Sequence, residues 1–159
     1  ADIEDQWTQK ERDEQQFVTD HILAQLKQQG CTPTTKGPFT TTAGKVAHLK
    51  TEIRWESNSS VSTFIEALHP TPAVCGTPPN AAFDIIQRSE PYDRELYTGF
   101  MGYVGSDADI WVNLRCMKIV QHAYILYVGG GLTAQSEVEK EWNETEAKAS
   151  TLRSVIEKN

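Results

Sequence analysis

The chain has 159 residues and a net charge of −7, with 38% hydrophobic and 23% charged side chains. That is the size and composition of one water-exposed globular domain with room for a core. No Lys/Arg-rich stripe marks a nucleic-acid binder, no apolar run nears the roughly 18 residues that span a bilayer, and three cysteines without a Cys-x-x-Cys spacing lead us to expect a cytoplasmic, reducing setting with no membrane association.

Residues 7–29 are predicted as a helix, because Trp7, Phe17, Val18, His21, Ile22 and Leu26 recur on one face and Gly30 follows as a stop. Glu11 and Glu14 are neighbours one turn apart. Glu14 falls in angle between Phe17 and Val18. A carboxylate on an apolar face is paired, metal-bound or protonated; the plainer reading is a solvated helix residue. Residues 31–44 read as loop, with room for a short strand. Residues 45–55 alternate in the period of a half-buried strand. His48 is on its more polar face, as a surface histidine or as a ligand contact. Residues 57–60 form a turn and 61–68 a short helix on Phe64, Ile65 and Leu68.

From Leu68 to Pro79, four prolines fall within twelve residues. Each fixes φ, removes a donor and biases its predecessor towards extended backbone. A rigid extended loop is predicted, without helix or central strand, and a second short helix over 80–88. Residues 97–104, 110–118 and 123–128 are predicted as three strands of an antiparallel meander, turning at Gly105-Ser106-Asp107 and Val120-Gln121-His122. Arg115 lies within the second, where a long side chain commonly carries its tip to water. Gly129-Gly130-Gly131 closes the third. Three glycines permit positive φ and close approach to backbone N–H groups, or simply make a turn. Residues 137–157 are the last helix, with Val138, Trp142, Thr145, Ala149, Leu152 and Ile156 as its expected buried stripe. Ser136 is its N-cap. Glu141 borders the stripe, and Glu144 is one turn on.

Taken in order, several segments resemble one family, the chorismate-utilising enzymes. They are Lys10-Glu11-Arg12-Asp13-Glu14, where most members follow with histidine and this chain has Gln15; His48-Leu49; His69-Pro70-Thr71-Pro72-Ala73-Val74-Cys75-Gly76; Glu90-Pro91-Tyr92-Asp93-Arg94-Glu95-Leu96-Tyr97-Thr98-Gly99; Asn113-Leu114-Arg115-Cys116; Gly129-Gly130-Gly131-Leu132; and Glu141-Trp142-Asn143-Glu144-Thr145 with Lys148. The loop wording with Ala73 is that of isochorismate synthases. Salicylate synthases, with threonine at that position, and anthranilate synthases, with a Pro-Gly-Ser-type loop, are less similar.

The resemblance implies an α+β fold: the C-terminal portion of the chorismate-binding fold, residues 1–159 forming a partial domain with mostly antiparallel sheet, two long helices and two short ones. It implies Mg²⁺-dependent conversion of chorismate to isochorismate, by water addition at C2 and loss of the C4 hydroxyl. Glu14 and Glu141 would ligate Mg²⁺, with Glu11 and Glu144 holding its waters. Arg115, Tyr97 and the Gly131 backbone would bind the pyruvyl carboxylate. His48 would stand near the ring, and Ala73 would leave space for the attacking water. The family's lysine base and glutamate acid have no counterpart here; they belong to the half preceding this segment. The chain is therefore read as incomplete and inactive alone, and self-association or a swapped dimer is expected from its uncovered surfaces. A non-catalytic relative and a plain α+β domain are the rival readings. Menaquinone, siderophore and salicylate supply are the open pathways.

Overall fold

The computed structural model describes residues 7–43 and 46–156. Contacts divide the chain into two units, the first ending at Ser89 and the second starting at Glu90. The first holds α1 (Gln9–Gln28), β1 (Thr34–Ala43), β2 (Val46–Arg54), α2 (Val61–Leu68), α3 (Pro72–Cys75) and α4 (Pro79–Ser89). The second holds β3 (Phe100–Val104), β4 (Ala108–Val112), β5 (Cys116–Val120), β6 (Ala123–Tyr127) and α5 (Val138–Ile156). Among the described residues the strands form three two-stranded antiparallel sheets. The architecture is α+β, as expected. No helix among the described residues is long and apolar enough to cross a membrane.

In the first unit α1 is the organising element, lying on β2, α2 and α3. Its start is fixed by the Thr8 N–H, which donates to Glu11 Oε2 at 2.7 Å, the back-reach of a capping box. Gln15 Nε2 donates to Thr51 Oγ1 at 3.1 Å, and Trp7 Nε1 to Thr40 Oγ1 at 2.8 Å, so side-chain bonds tie the helix to both strands. The expected apolar stripe is only partly covered: Leu26 is fully buried, but Phe17 is 51% exposed. At the far end of β2, Trp55 meets Phe64 of α2 with ring centroids 5.3 Å apart, an aromatic pair that fixes how the short helix leaves the sheet.

Two expectations for this unit need correction. Residues expected as loop are a ten-residue strand, β1; its five threonines at 34, 35, 40, 41 and 42 suit a pleated surface. The register breaks between Lys36 and Phe39, where Pro38 lacks a ladder donor and Gly37 has φ +114 with Lys50 O 2.7 Å from where a Cβ would be. The strand start expected at Lys45 lies outside the described residues. The Pro-rich loop does contain one turn of helix, α3. Pro72 stands at its first position, where no backbone donor is needed and φ is already helical, and the Cys75 and Gly76 amides close the turn onto Thr71 and Pro72.

In the second unit the expected meander is two separate hairpins, β3–β4 and β5–β6. The middle strand is interrupted: the Leu114 N–H folds back to Val112 O at 3.0 Å and Arg115 sits at φ +52. Arg115 is thus at a kink between strands rather than inside one. Tyr97 also lies ahead of its strand, in a turn flanked by Glu95 at φ +50 and Thr98 at φ +65. The reason is a tie across the sequence. Thr98 N–H donates to Asn113 O at 2.9 Å, Asn113 N–H to Gly99 O at 2.7 Å, and Asn113 Nδ2 to Leu96 O at 2.8 Å. The turn and the kink hold each other in the left-handed region. Helix α5 rests on β6 and buries Ala149, yet Val138 is 87% and Trp142 66% exposed, so the expected buried stripe is covered only in its later half. The end of that helix expected at Glu157 lies outside the described residues.

Candidate functional site

The first unit sets four of the sequence-nominated positions on or around α1. Glu14 is half-buried, and its Oε1 is withdrawn from solvent with Lys10 Nζ at 3.3 Å. A carboxylate oxygen shut from water is costly unless a cation attends it, so the acidic position on this face is electrostatically committed. Glu11, one turn earlier, gives Oε2 to the cap at Thr8, whose Oγ1 lies 3.0 Å away. His48 lies on β2 opposite Thr41, and Ala73 is exposed on α3; both elements adjoin α1. Near Ala73, burial lowers the pKa of His69 below its ordinary 6.5.

The second unit brings more of the nominated residues together. Its focus is the glycine run after β6. A Cβ on Gly130 would lie 3.6 Å from both Glu141 Oε2 and Glu144 Oε1. Two carboxylates of α5 therefore converge on a backbone that carries no side chain. Glu141 Oε2 is buried. Lys148, one turn beyond Glu144, donates from Nζ to Glu144 Oε1 at 2.5 Å and to Gly129 O at 3.0 Å, which pins the turn to the helix. On the other side, a Cβ on Gly129 would stand 2.6 Å from the Tyr97 hydroxyl. Tyr97 is 8% exposed, and burial, the largest influence, raises its phenol pKa. It is thus a protonated hydroxyl held beside the same turn. Arg115 is half-buried at its kink, tied to the Tyr97 turn through Asn113. Gly131 itself is exposed.

Hard oxygen donors withdrawn from solvent suit a hard divalent cation; Glu14 and Glu141 each hold such an oxygen, whereas Glu144 is 47% exposed. Among the described residues, no group of three or more His, Cys, Asp or Glu side chains is gathered as a metal site; the acidic residues stand as pairs within each unit. Sequence reasoning did not nominate Lys148, Arg94 or Glu90. The spacing that signals them is acid and base four residues apart, 144 with 148 and 90 with 94, a pattern that also marks ordinary surface pairs.

Fold and site together define an α+β protein whose second unit sets the Tyr97 hydroxyl and the Glu141 and Glu144 carboxylates against one glycine turn. Comparison with known proteins names the class. The family model described as "Chorismate binding enzyme" matches residues 6–157. The chain is 33% identical over 154 residues to isochorismate synthase EntC of Escherichia coli K12, covering 94% of this chain and 39% of that protein. It is 40% identical over 110 residues to isochorismate synthase DhbC of Bacillus subtilis, covering 66% of this chain and 28% of that protein. The solved structure of MenF, the menaquinone-specific isochorismate synthase from Escherichia coli, superposes with TM-score 0.79 at 34% identity, over 89% of this chain and 34% of that one. The chain belongs to the chorismate-binding enzyme family. It spans about two-fifths or less of the length of these relatives.

Proposed function

We propose that this chain is the metal- and carboxylate-binding portion of an isochorismate synthase, corresponding to the C-terminal part of the longer enzyme. One observation carries the reading. The Tyr97 hydroxyl, from the turn before β3, and Glu141 and Glu144, both from α5, meet at the Gly129–Gly130 backbone, so three nominated residues converge where small residues leave space. Relatives named as isochorismate synthases, the menaquinone-specific MenF among them, support the isochorismate subclass, and menaquinone supply is the pathway we favour.

Chorismate is a dianion, and bound Mg²⁺ would neutralise its ring carboxylate and orient it against the protein's own acids. Glu14 and Glu141 would ligate the ion, and Glu11 and Glu144 would hold its waters. Arg115 would pair with the pyruvyl carboxylate in a charge-assisted bond, with the Tyr97 hydroxyl and the Gly131 amide as further donors. His48 would border the ring, and Ala73 would leave room for the attacking water. Water adds at C2 as one proton leaves it, and the C4 hydroxyl departs as it gains one; atoms balance as an isomerisation. The lysine base and glutamate acid that move those protons would come from outside residues 1–159. The chain alone then binds without turning over.

Calorimetry with chorismate tests this. Binding should require Mg²⁺, weaken about tenfold or more in Glu141→Gln, and yield no isochorismate. Equal binding in the presence of a chelator would overturn the reading.

A further inference from the structure

Two side chains pack on the Tyr97 ring. Tyr127 stacks on it, centroids 5.6 Å apart at 30°. On the ring there is also Arg94, whose guanidinium carbon stands 5.7 Å from the centroid. Arg94 is itself fixed: Nε and one Nη reach the two carboxylate oxygens of Glu90 at 2.7 and 2.5 Å, and the other Nη donates to Thr98 Oγ1 at 3.3 Å. Glu90 and Arg94 are only about a quarter exposed. The pair spans residues outside any helix, so it closes a loop rather than decorating a surface. The Lys118–Glu95 pair nearby, exposed at 43% and 44%, makes the contrast.

We infer that Arg94, locked by Glu90, is a positioning residue that sets the Tyr97 hydroxyl against the glycine turn. This rests on the proposed chorismate reading for its effect on binding, but not for the Arg94–Tyr97 linkage itself. A planar fork is needed for the role. Guanidinium can bond Glu90 with two parallel donors while its face lies on the ring; an ammonium gives charge without that fixed plane. Gly129 lies at the Tyr97 hydroxyl and Tyr127 stacks on the ring, and Arg94 is a further restraint on it. Freed of Arg94, the hydroxyl loses its fixed aim, and the buried phenol loses the positive charge that partly offsets its burial.

The test compares wild type, Arg94→Gln, Arg94→Lys, Tyr97→Phe and the Arg94→Gln/Tyr97→Phe double variant. Two readouts are taken: chorismate affinity with Mg²⁺, and the pH titration of Tyr97 followed through a ¹³Cζ-tyrosine label. Arg94→Gln should weaken chorismate about tenfold, Arg94→Lys should recover part, and Arg94→Gln should add nothing once Tyr97 is Phe. The Tyr97 resonance should titrate at higher pH in Arg94→Gln than in wild type, and nearer to wild type in Arg94→Lys. An unmoved Tyr97 resonance, or an Arg94→Gln loss of equal size with and without the Tyr97 hydroxyl, would overturn the inference. If wild type binds no chorismate, the functional reading fails while the Tyr97 resonance still decides the linkage.

Discussion

Two adjacent glycines face different neighbours. A methyl on Gly129 would meet the Tyr97 hydroxyl at 2.6 Å, whereas on Gly130 it would meet Glu141 and Glu144 at 3.6 Å. The first distance forces a buried ring to move; the second is ordinary contact. Gly129→Ala should cost about 1–3 kcal/mol in unfolding titrations and displace Tyr97, while Gly130→Ala should leave stability within about 0.5 kcal/mol of wild type. Glu11 separates two roles in the same way. Glutamine also serves at the third position of a capping box, so Glu11→Gln should keep the thermal midpoint of α1 while weakening Mg²⁺-dependent chorismate binding. A large fall in midpoint without loss of binding would assign Glu11 to the cap alone. Family wording made these acids readable in the sequence. The surroundings of Tyr97 and Arg115 were not readable, because Asn113 reaches back to residues 96–99 and no local window contains that tie.

At the level of elements, local chemistry spoke clearly where it was sufficient. Helix α2 occupies Val61–Leu68 as its apolar spacing predicts, with Ser60 accepting from the Thr63 N–H at its start. The turns at 105–107 and 121–122 fall where Gly, Asp and His interrupt the strands. Helix α5 shows the opposite. Periodicity announces an apolar face at Val138 and Trp142, but it says nothing of what covers that face. The junction after α2 has a pH signature. His69 caps that helix, its N–H bonded to Ile65 O at 2.9 Å, and burial holds its pKa below 6.5. The folded state then takes up its proton less readily than the unfolded chain. Stability is retained above about pH 6.5 and falls as pH drops from there towards the lowered value. Thermal midpoints at about pH 7.5 and pH 5.5 should diverge more in wild type than in His69→Gln; parallel curves would remove His69 from the account.

At the scale of the molecule, the second unit carries much apolar surface in its hairpins. Phe100, Tyr103 and Val104 of β3, Trp111 of β4, Ile119 of β5 and Tyr124 of β6 are all exposed. Surface of this kind seldom stays in water. Light scattering on the chain should therefore show particles larger than a monomer, reduced when Ile119 and Tyr103 are made polar; a clean monomer across the concentration range would contradict it. Each of these four strands pairs with just one neighbour among the described residues, leaving a row of amides and carbonyls along its other side. Such a row recognises main chain without regard to side chains. A short extended peptide laid alongside would gain order from backbone bonds alone, and its newly sheltered amides would become slow to exchange with deuterium.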